Sequence, residues 1–280
     1  QLGAGGNVGT DGLSLSQVER PELEIRNLRT VSGVQAGLSL QSANDTVRNL
    51  AIYGFGGGVF NNNETNIYVG AAGNNAIIEG NIVGAGASSF SLPSTDASLG
   101  DNIVVDGGAN GTIQNNLIGY TGGHGIWFYT GSDNWTVTNN EIRGNNTSSF
   151  KFLPAVLIET GTGQLITRNL IADNQSVGIG MSSVSGSTTV RNNTITNNGI
   201  SVTPNQTSGI RVAGGTSGLI EQNVITANVG AGVLVTSGAS GFTISKNAIS
   251  GNGSVSGQIG IDLLSATDGQ ARGTAPFVTS

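Results

Sequence analysis

The run Val190-Arg-Asn-Asn193-Thr-Ile195 contains the pattern that decides the fold of this 280-residue chain. An aliphatic residue is followed by two variable residues, an Asn, one variable residue and a second aliphatic residue. Repetition at a fixed period is the sequence signature of a stacked-repeat architecture. The pattern occurs seven times, with its asparagines at Asn81, Asn116, Asn140, Asn169, Asn193, Asn223 and Asn247.

A second pattern, aliphatic-x-aliphatic, alternates with the first and occurs nine times between Leu38 and Leu263. Such alternation predicts short, half-buried strands, and no segment shows a helical period. The shortest repeat is about 24 residues long, the separation of Asn169 and Asn193. A unit this small cannot bury its own apolar face, so the repeats must stack, with strands about 4.8 Å apart. The sequence therefore predicts an all-β solenoid, a parallel β-helix of about nine coils.

The repeated asparagines are expected to form a buried, mutually hydrogen-bonded ladder at one turn. Asn tolerates the left-handed backbone conformation of a turn, and its amide both donates and accepts hydrogen bonds. Leu50 occupies the Asn position of the first, imperfect repeat and should mark the end of the ladder near the N-terminus. Asn198 lies outside the repeated motif, so Asn169→Ala is expected to destabilise the chain more than Asn198→Ala.

The composition excludes several classes of function. Charged residues make up 10% of the chain and give a net charge of −6, and a nucleic-acid surface needs clustered Lys and Arg. No apolar run approaches the roughly 18 residues of a membrane-spanning helix. The absence of cysteine excludes thiolate metal sites, and a single histidine, His124, argues against a His-based metal site. We therefore expect no nucleic-acid partner, no membrane insertion, no metal and no cofactor.

The two motifs resemble the repeats of the pectate-lyase-like, right-handed β-helix superfamily over about residues 23–265. The C-terminal segment Ile259-Gly-Ile-Asp-Leu-Leu resembles segments of large bacterial cell-surface and secreted β-helix proteins. The resemblance implies a right-handed helix, a single domain over residues 1–280 and an extracellular or cell-surface location. It does not choose a function, because this fold hosts lyases, hydrolases, tailspikes and inert stalks.

Five coils are longer than the basic repeat, and all five insertions fall at one corner. Insertions at one face of a solenoid often build its binding face. The first thirty residues contain no amphipathic helix, and Gly5–Asp11 are interpreted as a turn. Neither end of the stack shows a cap, so we expect a longer chain or ends covered by other subunits. The insertions span residues 53–65, 84–101, 143–154, 196–208 and 250–259.

The middle residue of the second motif points outward, and part of this column is apolar. Its members are expected to contact a partner or ligand, as is the adjacent aromatic Tyr129, but three explanations stay open. The Phe-bearing insertions could cover the strip, another protein could bind it, or its aromatics could stack on sugar rings. The predicted contact residues are Tyr68, Val104, Trp127, Tyr129 and Leu157.

The chemistry is sparse, and the alternative catalytic pair is Asp106 and Glu159. These carboxylates stand two coils apart, about 9.6 Å by ladder spacing, which is near the separation in inverting glycosidases. Asp101 and His124 lie nearby in the sequence. Two outward carboxylates are more often solubilising, so catalysis is the minor hypothesis.

The leading functional hypothesis is a non-catalytic structural or adhesive module of a bacterial extracellular protein. Its expected partners are other subunits, associating end to end or laterally, or a cell-surface partner. The alternative is a carbohydrate-active enzyme or a tailspike-like module that binds polysaccharide through the region of Asp106, Tyr129 and Glu159. A groove with converging carboxylates would favour the alternative, and a smooth wall would favour the scaffold.

Overall fold

The computed structural model describes residues 1–28, 34–57, 64–147, 153–200, 207–254 and 259–263. These residues form three parallel sheets, which the chain visits in turn, one strand per sheet and per coil. The all-β, right-handed parallel β-helix of nine coils is therefore confirmed. The described residues contain no helix, so no helical segment among them is suited to crossing a membrane.

Each sheet runs the length of the stack, and its neighbouring strands come from consecutive coils. Sheet 1 consists of β1 (Leu23–Arg26), β4 (Leu50–Tyr53), β7 (Ile82–Val83), β10 (Leu117–Gly119), β13 (Glu141–Arg143), β16 (Leu170–Ala172), β19 (Thr194–Thr196), β22 (Val224–Thr226) and β25 (Ala248–Ser250). Sheet 2 consists of β2 (Ala36–Leu40), β5 (Thr65–Val69), β8 (Asp101–Val105), β11 (Ile126–Phe128), β14 (Val156–Ile158), β17 (Ile179–Met181), β20 (Ile210–Val212), β23 (Val233–Val235) and β26 (Ile261–Leu263). Sheet 3 consists of β3 (Thr46–Arg48), β6 (Ile77–Glu79), β9 (Thr112–Gln114), β12 (Thr136–Thr138), β15 (Leu165–Thr167), β18 (Thr188–Arg191), β21 (Gly218–Glu221) and β24 (Phe242–Ser245).

One hydrophobic core fills the centre of the stack and is built mainly from inward-facing Ile and Val residues. Because successive side chains of a strand point to opposite faces, a three-residue strand places one or two aliphatic residues inward. Phe128 and Trp135 are the largest fully buried side chains, and their ring centroids lie 6.0 Å apart. The apolar triplets noted in the sequence therefore correspond to core positions, as predicted.

The predicted Asn ladder lies at the corner between sheets 3 and 1. Asn169 shows the repeating contacts: its Oδ1 accepts from the backbone N–H and the side-chain amide of Asn140, both at 3.0 Å. Its own amide donates to Asn193 Oδ1 at 3.0 Å. At the N-terminal end, the Leu50 N–H donates to Asn81 Oδ1, so Leu50 ends the ladder as predicted.

The left-handed backbone conformation falls one residue before each ladder Asn, not on it. The φ angles are 55° at Asn139, 55° at Arg168 and 53° at Asn192. Our assignment of the αL conformation to the ladder residues was wrong. The turn is made by the preceding residue, and the ladder Asn contributes hydrogen bonds with its side chain.

A second Asn ladder, absent from our prediction, lies at the corner between sheets 1 and 2. Asn198 belongs to it and is fully buried, so placing Asn198 outside any ladder, and expecting Asn198→Ala to cost less than Asn169→Ala on that ground, was wrong. Adjacent members are joined by side-chain amide bonds of 2.6 to 3.1 Å. The members are Asn66, Asn102, Asn145, Asn174, Asn198, Asn228 and Asn252.

The insertions leave the stack at the corner that holds this second ladder, between a sheet 1 strand and the following sheet 2 strand. Their predicted confinement to a single corner is confirmed. Short coils cross the same corner in six residues, as between Ala172 and Ile179. The second ladder therefore closes the core where the chain departs from its repeat, and it supplies the polar contacts that this corner needs.

Residues 1–18 form an antiparallel hairpin, here called the N-terminal hairpin, on the outer face of sheet 1. Gly5–Asp11 form part of this hairpin, with Asn7 paired to Ser14. At the N-terminal end of the stack, Leu23 and Leu28 are 58% and 51% exposed. In the described part of the chain, no strand pairs with the outer edge of β1, β2 or β3.

Candidate functional site

The outer face of sheet 2 carries four of the five predicted contact residues in a single column, and Tyr129 stands in the next outward column. Tyr68, Val104, Trp127 and Leu157 are register neighbours on consecutive strands. Val104 is fully buried, however, so its predicted exposure was wrong. It lies between the larger Tyr68 and Trp127 side chains, whereas Tyr68, Trp127 and Leu157 are half-buried.

A cleft of about 310 Å³ opens on this face beside Trp127. Leu153, Pro154 and Leu157 form an apolar wall, and Glu159 and Arg211 supply charge. Gly180 follows Leu157 in the outward column, and a Cβ at Gly180 would lie 2.5 Å from Pro154 Cγ. Because Gly180 has no side chain, the Pro154 ring can pack over it and form the floor of the cleft.

His124 lines the cleft and is paired with Asp101. Its Nδ1 lies 2.9 Å from Asp101 Oδ1, and the same oxygen accepts the His124 backbone N–H at 2.6 Å. Both side chains are almost fully buried, with 3% and 1% exposure. A carboxylate facing Nδ1 favours the tautomer with hydrogen on Nδ1, which leaves the Nε2 lone pair available. This Nε2 is buried and has no hydrogen-bond partner among the described residues.

Trp127 lies between the His124–Asp101 pair and the predicted carboxylate Glu159. The indole N–H donates to Glu159 Oε2 at 2.8 Å, and the indole and His124 ring centroids lie 5.1 Å apart. Tyr129 packs edge-on against the indole, with ring centroids 4.9 Å apart. The aromatic group is thus held from two sides, and the hydrogen bond fixes the position of Glu159.

The second predicted carboxylate, Asp106, is held by a different aromatic residue. The Tyr68 hydroxyl donates to Asp106 Oδ2 at 2.9 Å. Burial, together with this hydrogen bond and the negative charge of Asp106, raises the pKa of Tyr68 to about 12. Asp106 and Glu159 are thus anchored by separate aromatic residues two coils apart, and the cleft contains Glu159 but not Asp106.

Of the four insertion phenylalanines that could cover Trp127, the structure describes only Phe90, and Phe90 does not cover it. Phe90 packs edge-on against Tyr120, with centroids 5.1 Å apart, and with the apolar cluster on the outer face of sheet 1. The 84–101 insertion folds to the sheet 1 side of the corner, which is why its Phe does not reach sheet 2. Phe60, Phe150 and Phe152 lie outside the described residues.

Sequence reasoning found Trp127, Tyr129 and Glu159 but did not assign the His124–Asp101 pair or Arg211 to a site. Asp101 and His124 are 23 residues apart, about one coil, so His124, just before β11, lies beside Asp101 at the start of β8. The sequence did contain a signal for this pair. Two residues separated by about one repeat length are expected to be neighbours in adjacent coils, and His124 and Asp101 have that separation. Arg211 stood in the outward column, but its contact with the cleft depends on Gly180.

Two family descriptions match this chain. The family description "Right handed beta helix region" matches residues 11–160, which are 150 of the 280 residues. The chain belongs to this family. A second description, "Periplasmic copper-binding protein (NosD)", matches residues 155–264. No curated protein sequence matches the chain.

Two solved structures are similar to this chain at low sequence identity. The A-module of mannuronan C-5 epimerase AlgE6 from Azotobacter vinelandii is 16% identical, with a TM-score of 0.38. That match covers 82% of this chain and 75% of the epimerase module. Pectate lyase Pel9A is 17% identical, with a TM-score of 0.40 and coverage of 92% of this chain and 78% of the lyase.

The residues of this chain do not fit a copper site. Copper prefers imidazole, thiolate and thioether ligands, and residues 155–264 contain no His and no Cys. The one methionine, Met181, is 1% exposed and belongs to the hydrophobic core. Among the described residues, no three His, Cys, Asp or Glu side chains come together as a metal-binding group.

Proposed function

We propose that this protein acts outside the cytoplasm as a carbohydrate-active β-helix protein whose glycan lies in the sheet 2 cleft. The observation that carries the proposal is the unpartnered Nε2 of His124 beside the half-buried indole of Trp127. An aromatic face packs well against the apolar face of a sugar ring. A concave site with a few convergent polar groups is the usual form of a ligand site.

Within this site, each residue has a distinct role. Trp127 provides the stacking surface and Tyr129 supports the indole from its edge. Arg211 and Glu159 provide a donor and an acceptor for sugar hydroxyls or charged substituents. Asp101 orients the imidazole, so that His124 Nε2 accepts a proton from the bound glycan or from a water molecule. The match to a periplasmic family and the resemblance to secreted β-helix proteins support a location outside the cytoplasm.

Binding is tested with a panel of plant and bacterial polysaccharides by isothermal titration calorimetry. Trp127→Ala should abolish the binding that the wild type shows. Phe90→Ala is the matched control, because it removes an aromatic residue from the sheet 1 side of the same corner. Affinity that survives Trp127→Ala unchanged would refute the placement of the glycan.

Catalysis is tested separately by chain shortening of a polysaccharide that binds. His124→Gln should retain binding and lose turnover, because an amide cannot replace the proton acceptor at Nε2. Turnover that persists in His124→Gln would show that the His124–Asp101 pair takes no part in catalysis. Binding without turnover in the wild type would instead favour the non-catalytic adhesive module.

The second candidate function is a structural module that associates end to end with other subunits. It is favoured by the exposed Leu23 and Leu28 at the N-terminal coil, beside strand edges that can template strand addition. Sedimentation velocity over a range of concentrations tests this function. Wild-type protein should associate and Leu23→Lys should not, whereas a wild-type monomer at every concentration would exclude it.

A further inference from the structure

The N-terminal hairpin binds along the coil stack rather than across its end. Leu2 and Val18 exchange two backbone hydrogen bonds of 2.7 and 3.0 Å at the base of the hairpin. Towards the tip, the Leu15 N–H donates to Gly6 O at 2.6 Å, and the Val8 N–H donates to Leu13 O at 3.2 Å. The hairpin is therefore a defined two-stranded element.

Apolar contacts hold the base of the hairpin on sheet 1. Val18 packs with Ala51, Ile82 and Leu117, which point outward from coils 2, 3 and 4. All four side chains are at least 96% buried. The hairpin and the 84–101 insertion, through Ala85 and Phe90, together cover these outward aliphatic residues.

Polar contacts hold the rest of the hairpin, and they advance along the stack. The Ala4 N–H donates to Glu141 Oε2 on coil 5, and Asp11 pairs with Arg168 at 2.9 Å at the start of coil 6. The Gly9 N–H donates to Thr194 Oγ1 on coil 7 at 2.9 Å. The tip reaches coil 8, where the Thr10 hydroxyl donates to the Gln222 carbonyl at 3.0 Å.

These contacts break the rule that a solenoid repeat touches only its neighbours. In an ordinary stack, stability is a sum of local terms, and end coils unfold independently. The hairpin instead joins residues 137 to 212 positions apart in sequence. We propose that the N-terminal hairpin is a late-docking clamp: it binds only after coils 5 to 8 have formed, and it makes coils 2 to 8 unfold as one cooperative unit.

Gly9 offers a selective way to lift the hairpin tip. A Cβ at Gly9 would lie 2.2 Å from the Asn192 carbonyl oxygen, so Gly9→Ala cannot dock as the wild type does. Gly12→Ala is the matched control, because Gly12 has a similar φ of 72° against 67° but has open space around it. Both variants place an alanine in the left-handed conformation at a similar energetic cost. They differ only in the steric clash with the Asn192 carbonyl oxygen, which occurs in Gly9→Ala alone.

Two measurements on the full chain test the clamp. In hydrogen exchange, Gly9→Ala should lower the protection of the backbone amides at positions 4 and 9 about tenfold or more, whereas Gly12→Ala should not. In urea unfolding, tryptophan fluorescence reports coil 4 and far-ultraviolet circular dichroism reports every coil. The two transitions should coincide in the wild type and in Gly12→Ala. In Gly9→Ala, the circular dichroism transition should begin at lower urea.

Coincident transitions in Gly9→Ala, with hairpin exchange equal to that of Gly12→Ala, would overturn the proposal. If Gly9→Ala does not fold, Thr194→Val tests the same contact from the coil side. That change removes the acceptor of the Gly9 N–H and introduces the residue type found in register on the next coil, Val224. Thr194→Val must also separate the two transitions, and a coincident result would equally refute the clamp.

Discussion

Replacing Asn198 with alanine removes one member of the second ladder from the corner between sheets 1 and 2. Its Oδ1 accepts two hydrogen bonds from Asn174, from the backbone N–H at 3.3 Å and from the side-chain amide at 2.9 Å. Its Nδ2 donates to Asn228 Oδ1 at 2.9 Å and to the Ile171 carbonyl at 3.0 Å. Four hydrogen bonds are lost, and the partners stay buried.

The expected loss follows from these four bonds. A net contribution of about 1 kcal/mol for each buried neutral hydrogen bond gives a loss of about 4 kcal/mol in the free energy of unfolding. Water entering the vacated space would lower this figure to about 2 kcal/mol. Asn169→Ala in the first ladder removes a comparable set of bonds, so the two variants should lose similar stability.

Asn197→Ala is the matched control for Asn198→Ala. Asn197 is exposed, has a φ of 53° and is followed at the equivalent position of the next coil by Ala227, with a φ of 54°. The left-handed alanine costs about 1–2 kcal/mol. Urea unfolding monitored by circular dichroism should therefore rank Asn198→Ala clearly below Asn197→Ala. Equal urea midpoints for the two variants would refute the contribution to stability that we assign to the second ladder.

Three further outcomes are expected. A polar quencher should reduce the emission of Trp127 but not of the fully buried Trp135, and Trp127→Phe should remove the quenchable fraction. Tyr68 should titrate near pH 12 by ultraviolet absorbance, and Asp106→Asn should bring its pKa closer to the ordinary value of about 10. Because the folded-state pKa of Tyr68 is raised, its contribution to stability is complete below about pH 10 and is lost as the pH rises through about 12. Burial alone would raise the pKa of Asp11, but hydrogen bonds from Arg168 and the Leu13 N–H outweigh it and lower the pKa. Its contribution is therefore present above about pH 3.9 and lost as the pH falls through the lower folded-state value, which smaller hydrogen-exchange protection factors in the N-terminal hairpin should reveal.

The sequence was sufficient for the repeat, the three strands per coil and the first ladder, because each depends on residues at a fixed spacing. The second ladder was harder to see because its asparagines do not all come from one strand. Asn66 and Asn102 stand in sheet 2 strands, whereas Asn145 and later members follow sheet 1 strands. No single column of the sequence therefore contains the whole ladder.

The site could be predicted only in part for a related reason. Trp127 and Glu159 lie in outward columns that the repeat defines. Their outward orientation could therefore be predicted from their position within the repeat. The pairing of His124 with Asp101 depends on a short corner, and the cleft depends on Pro154 lying over Gly180. The N-terminal hairpin has no repeat at all, and its docking depends on outward side chains that look like surface residues in the sequence.

The second ladder also determines which coils could be exchanged during evolution. A Cβ at Gly178 would lie 3.1 Å from Asn198 Nδ2, and one at Gly209 would lie 2.8 Å from Asn228 Nδ2. At this corner, each of these ladder asparagines, which follow a sheet 1 strand, thus packs against a glycine that precedes a sheet 2 strand. Coils 6 to 9 share one arrangement at this corner, so the ladder itself would continue through a duplicated or deleted coil, whereas the contacts of the N-terminal hairpin with coils 6 to 8 would shift. A recombinant that joined coil 3 directly to coil 7 would bring Asn102 and Asn198 to one level, with two amides competing for one place. The packing of this corner is therefore compatible with exchange of whole coils only in the C-terminal half of the stack.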